Sequence, residues 1–178
     1  SLSWNTDYTI TEVDRITDIL LVQNAANDYF IAAIGRSNTE SKDGIILAKL
    51  NANGQSIWTN DVEFTGSANV NIVGISNLTT ATDGGVYLTQ RLIASGFQTS
   101  AALSRYNADG SLKFKNPSEG GALVNLGFDA IAEGPNQSTF TAFYYQGDKG
   151  PVPRSIALTK LDATGAVVWT ASINSELP

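Results

Sequence analysis

Residues 45–58 read IILAKLNANGQSIW, residues 101–114 read AALSRYNADGSLKF, and residues 156–169 read IALTKLDATGAVVW. In each, an alternating apolar stretch leads into a short polar turn and then a second extended stretch. Gly54, Gly110 and Gly165 align, with separations of 56 and 55 residues. The turns Asn51-Ala-Asn-Gly54, Asn107-Ala-Asp-Gly110 and Asp162-Ala-Thr-Gly165 share one chemistry. Asn or Asp at the start bonds the backbone of its own turn, and Gly at the end supplies a positive φ. Each stretch therefore predicts a β-hairpin. An aromatic follows each Gly by four residues: Trp58, Phe114 and Trp169. Ser1-Leu-Ser-Trp4 matches Gln55-Ser-Ile-Trp58, and Trp4 precedes Trp58 by 54 residues, the same period. All three tryptophans thus occupy one repeat position.

The upstream half of each unit repeats more loosely. Ile19–Val22, a turn at Asn27-Asp28, and Tyr29–Ile34 form one copy. Ile72–Ile75, Thr82-Asp-Gly-Gly85 and Val86–Leu88 form the next. Leu126–Phe128, Gly134-Pro-Asn-Gln137 and Phe140–Tyr145 form the last. Period-2 alternation and turn punctuation predict four short strands per unit and no helix. A possible helix over 11–22 is rejected because it lacks a sustained 3.6-residue period and is rich in β-branched residues. The reading divides the chain into a leading strand (1–10) and units at 11–64, 65–119 and 120–178 within a single repeat domain. In each unit a long polar connection precedes the final hairpin, at about residues 35–43, 93–99 and 146–153.

A four-stranded unit of this length cannot bury both faces alone, so it must stack on neighbours, which is the logic of propeller blades. The pattern KLDATGAVVW, with a preceding turn such as Thr82-Asp-Gly-Gly85, resembles bacterial β-propeller repeats. These include PQQ-like blades and the KLD-x-x-G-x-x-x-W repeats of secreted and surface proteins. Unit two departs from it, with Arg105-Tyr106 for Lys-Leu and Phe114 for Trp. The resemblance implies an all-β propeller architecture and an extracellular or cell-surface location, and it brings no PQQ site. Closed propellers hold ~4–8 blades. Three readings of the shorter repeat stay open: part of a longer propeller, two copies forming a six-bladed ring, or a β-trefoil.

Composition narrows the chemistry. The 178 residues include no Cys, His or Met. That excludes a thiol nucleophile, an imidazole base, disulfides and His or Cys metal ligands. The missing Met leads to the expectation of a processed chain or fragment. A net charge of -6 argues against nucleic acid as a partner. No apolar run reaches the ~18–20 residues of a membrane span, so no membrane insertion is expected.

Each remaining candidate has a competing structural role. Aromatic rings suit sugars, but repetition favours packing of the tryptophans between units. The Asn- and Asp-rich turns lack the spacing and the terminal Glu of an EF-type loop, so no metal is expected. Asp7, Glu12, Asp14 and Asp18 read as a solvated connection into unit one. Asp83, Asp129 and Glu133 are available as a glycosidase pair, yet no spacing singles two of them out. The sequons at Asn77 and Asn136 are read as chance. No cofactor is expected.

Variable loops on a rigid scaffold commonly carry recognition. The candidate ligand-binding residues are Arg36, Asn38 and Lys42 in unit one, Phe97 and Gln98 in unit two, and Asp148 and Arg154 in unit three. The expectation is a non-enzymatic module binding protein or carbohydrate, completed by additional blades from a parent chain or a second copy. The alternatives are a structural assembly segment and part of a carboxylate-based glycoside hydrolase.

Overall fold

The computed structural model describes residues 13–37, 43–62, 70–94, 99–116, 130–145 and 155–174. It is all-β, and each repeat forms one four-stranded antiparallel sheet. The first sheet comprises β1 (Val13–Gln23), β2 (Tyr29–Ser37), β3 (Asp43–Leu50) and β4 (Ser56–Val62). The second comprises β5 (Val70–Thr80), β6 (Val86–Ala94), β7 (Thr99–Tyr106) and β8 (Leu112–Asn116). The third comprises β9 (Ala130–Glu133), β10 (Thr139–Tyr145), β11 (Ser155–Leu161) and β12 (Val167–Asn174). Every sheet is a simple meander in chain order. Among the described strands, all ladders lie within one repeat. A trefoil would instead pair strands of different repeats in a common barrel.

The sheets stack face to face in sequence. Phe30, Ala32, Ile34, Ile45 and Leu47 of the first pack on Ile75, Leu78, Val86, Leu88, Ala102 and Tyr106 of the second. Tyr87, Ala101, Leu103 and Phe114 of the second pack toward Leu161 and Ile131 of the third. The period of two explains this division: Val86 and Leu88 point one way and Tyr87 the other. The second sheet is therefore covered on both sides, and every residue from Gly85 to Gln90 is buried. First strands lie close together, β1 on β5 and β5 on β9.

The hairpin turns share one geometry, and those of the second and third sheets seal against the sheet before. Asn51 Oδ1 accepts from the backbone N–H of Asn53 and Gln55 at 2.9 and 3.0 Å. Asp162 does the same for Thr164 and Ala166 at 2.8 and 3.0 Å. Gly110, at φ +89°, lies directly under Trp58, and a Cβ there would meet the ring at 2.8 Å. Trp58 Nε1 donates to the Ala108 carbonyl at 3.0 Å, and Asn60 Nδ2 donates to that of Gly110. The next junction repeats the device: Phe114 covers Gly165, and Asn116 Nδ2 donates to the Gly165 carbonyl at 3.0 Å.

Several expectations need correction. Arg36, Asp43, Ile93, Ala94 and Thr99, read as loop, lie within strands. The backbone ladder continues past the apolar alternation, pairing Arg36 with Asp43 and Ile93 with Thr99. In unit three the described first strand is Ala130–Glu133; the segment 126–128 lies outside the described residues. The turn at Pro135–Gln137 lies where the sequence places it; it is a single 3-10-type turn with Asn136 and Gln137 at φ +57° and +58°. Asp14 and Asp18 belong to β1 and not to a connection. Asp18 accepts from the Ile75 N–H at 3.4 Å, which ties the first sheet to the second.

The seal predicts unequal glycine sensitivity. Gly84 has φ +83° but only Ala108 Cβ, at 3.6 Å, beside its absent side chain. Gly84→Ala should cost about 1–2 kcal/mol from backbone strain alone. Gly165→Ala should cost a further ~1–3 kcal/mol through the clash with Phe114. Urea unfolding measures both, and equal costs would contradict the tight junction.

Candidate functional site

The most structured chemistry lies between the sheets, at their turn end. Each repeat carries an aromatic on its second strand, a cation on its third and an aromatic on its fourth. In the first sheet Lys49 Nζ sits 5.5 Å from the Phe30 ring, and Phe30 lies 5.9 Å from Trp58. In the second, the Arg105 guanidinium sits 4.6 Å over Tyr87, beside Phe114 across the ladder. In the third, Lys160 Nζ sits 5.6 Å from Phe140, which lies 6.1 Å from Trp169. Lys49 is 8% exposed and Arg105 only 1%. Buried cations need a counter-charge or hydrogen bonds. Asp28 supplies one for Lys49 at 3.0 Å, and Asp83 supplies one for Arg105.

Asp83 is the centre of the densest charge cluster. Burial pushes its carboxyl upward. The Gly85 N–H, the Arg105 guanidinium and the Lys113 ammonium outweigh that and hold it below its ordinary 3.8. Lys113 Nζ, 4.0 Å from Asp83, donates to Gln137 Oε1 of the third sheet's 3-10 turn at 2.6 Å. Glu133 Oε2 accepts from the neighbouring Thr82 N–H at 2.6 Å. Thr139 Oγ1 donates to the Tyr87 hydroxyl at 3.2 Å. These contacts join the second and third sheets. An Asp held ionised suits only the base or nucleophile of a glycosidase pair and not its general acid. Asp129 lies outside the described residues. No group of three or more His, Cys, Asp or Glu able to hold a metal occurs among the described residues.

Of the sequence-predicted binding residues, Arg36 alone is among the described residues, and it lies away from this cluster, near the end of β2. Asn38, Lys42, Phe97, Gln98, Asp148 and Arg154 lie outside the described residues. They fall in the segments joining β2 to β3, β6 to β7 and β10 to β11. The repeated contacts of Trp58 and Phe114 with the following turns align the turn ends of the sheets, so these three connections leave from one common end. The repeated cation was missed from sequence. Its signal was present: Lys49, Arg105 and Lys160 each precede the turn Asn or Asp by two residues.

No protein-family model matches the chain, and no curated protein shows significant similarity to it. No helix among the described residues is long and apolar enough to cross a membrane.

The ion pair predicts an acid limb of stability. Asp83 has a folded pKa lowered from 3.8, so the unfolded chain binds more protons in that window. Its contribution is complete above the unfolded value and is lost as pH falls through the folded one. Asp109 and Asp162, lowered first by the hydroxyls of Ser111 and Thr164, add to the same limb. Asp83→Asn should lower stability at neutral pH and make the loss below pH 3.8 shallower. Urea midpoints across pH measure this; an unchanged acid limb would contradict it.

Proposed function

We propose that the chain is a non-enzymatic β-propeller module, extracellular or at the cell surface, that binds a protein or glycan through the connections at the loop end. The observation that carries this reading is a contrast within the repeat. The sheets, hairpin turns and inter-sheet contacts recur nearly unchanged. The three connections at the opposite end, 38–42, 95–98 and 146–154, share neither length nor sequence. A scaffold that repeats and loops that diverge at one end suit recognition. The packing of sheets on one another, with first strands close together, supports the propeller architecture.

A second reading is a structural assembly role. It is favoured by apolar residues left exposed at both ends of the stack, among them Ile19, Leu21, Ile156 and Trp169.

Glycan-array and pull-down experiments test the first reading. Simultaneous replacement of Arg36, Asn38, Lys42, Phe97, Gln98, Asp148 and Arg154 by Ala should abolish binding while leaving the melting temperature within a few degrees. Binding that survives this variant would overturn the loop assignment.

A further inference from the structure

The face that the first sheet turns to the second recurs on the third sheet, where it is open. In the first sheet it consists of Phe30, Ala32, Ile45, Leu47, Lys49 and Trp58. The third sheet places Phe140, Ala142, Ile156, Leu158, Lys160 and Trp169 at the same register positions. Every residue type is identical between the two sets. Their surroundings are not. Ile45 and Leu47 are 1% and 0% exposed, whereas Ile156 and Leu158 are 51% and 36% exposed. Trp169 is 39% exposed. A contiguous apolar face of this kind marks an interaction surface.

Two ways of covering it with a second copy of the chain fit poorly. The first sheet of another copy is not a free partner. Ala33 and Leu50, on the face turned away from the second sheet, are 5% and 1% exposed, and Gly54 in its hairpin turn is buried. Two third sheets set face to face would bring two Lys160 ammonium groups into one apolar interface. Asp28 pairs with Lys49 and Asp83 with Arg105, but among the described residues no carboxylate pairs with Lys160. Burying like charges without a counter-charge is strongly unfavourable. The first sheet shows what does fit this face. Ile75, Leu78, Val86 and Leu88 of the second sheet cover it, and the turn ending in Gly110 seats under Trp58.

We propose that the open face of the third sheet receives a fourth unit of this same repeat, following the third unit as the second follows the first. Its Gly turn seats under Trp169. The occupant is argued from continuity: the second sheet already covers an identical set of side chains. Charge supports it as well. Lys160 lies across the ladder from Trp169, beside the place of that turn. An acid within the turn, as Asp109 is in unit two, answers the ammonium. β12 has Ala171 where β4 and β8 have Asn60 and Asn116, two residues after the aromatic. Adhesion at this face therefore comes from apolar burial and from Trp169 rather than from a carboxamide clamp. The inference rests on the propeller architecture proposed above and is independent of the loop assignment.

The test appends residues 65–119, the unit that covers the identical face of the first sheet, after Pro178 of the intact chain. Hydroxyl-radical footprinting reads side-chain accessibility. In the chain alone Ile156 and Leu158 should oxidise faster than Ile45 and Leu47, at every protein concentration. In the fusion their rates should fall to those of Ile45 and Leu47. Leu158→Glu changes an exposed position, so the circular dichroism of the chain should be unchanged. Within the fusion the same substitution should restore fast oxidation of Ile156. Fast oxidation of Ile156 and Leu158 in the unsubstituted fusion would overturn the proposal and leave the face to a ligand. Protection in the chain alone that grows with concentration would overturn it in favour of a second copy. Fast oxidation of Ile45 and Leu47 would overturn the stacked-sheet architecture, and the proposal with it.

Discussion

A sheet with apolar residues on both faces cannot satisfy itself. Its own ladder pairs the backbone, but the side chains above and below need a second and a third layer. The second sheet shows the constraint met: Val86 and Leu88 are buried against the first sheet, and Tyr87 and Leu103 against the third. Everything else in the fold follows from stacking four-stranded meanders of one design. Short turns keep each meander local. The first strands lie close together, and the hairpin turns of the second and third sheets reach back to the sheet before.

Magnitudes indicate which part of the junction holds and which part aligns. Full burial of an Ile or Leu is worth roughly 1.5–3 kcal/mol. A cation over an aromatic face adds ~0.5–2 kcal/mol, and a typical hydrogen bond a net ~0.5–1.5 kcal/mol. The apolar residues therefore dominate adhesion. The bonds from Trp58, Asn60 and Asn116 to turn carbonyls fix the register of one sheet on the next. The buried cations are better regarded as specificity devices. Arg105 fits only where Tyr87 offers a ring and Asp83 a carboxylate. An isolated guanidinium in that position would be strongly unfavourable.

The repeat was legible because turns have stringent local chemistry. Asn or Asp followed by Gly, at a spacing near 55 residues, defined the hairpins and placed Trp58 and Phe114 at the junctions. Strand ends were less legible, since Arg36 and Asp43 pair through backbone alone and their types carry no strand signal. The roles of Asp18 and Glu133 were hidden for a different reason. Each accepts a hydrogen bond from a residue more than 50 positions away, so their local sequence resembled ordinary solvated acids. The aromatic–cation–aromatic face fell between these cases. Its three members are spread over separate strands, and only the ladder register brings Phe30, Lys49 and Trp58 onto one surface.

The central claim is that a repeated aromatic presses on the glycine turn of the following sheet. A double-mutant cycle on Trp58 and Gly110 tests it most directly. Trp58→Ala, Gly110→Ala and the double variant would be compared by urea unfolding. If the ring occupies the space a Cβ would need, Gly110→Ala should cost less once the ring is gone. The account predicts a coupling of about 1 kcal/mol or more in that direction. Additive costs would contradict it.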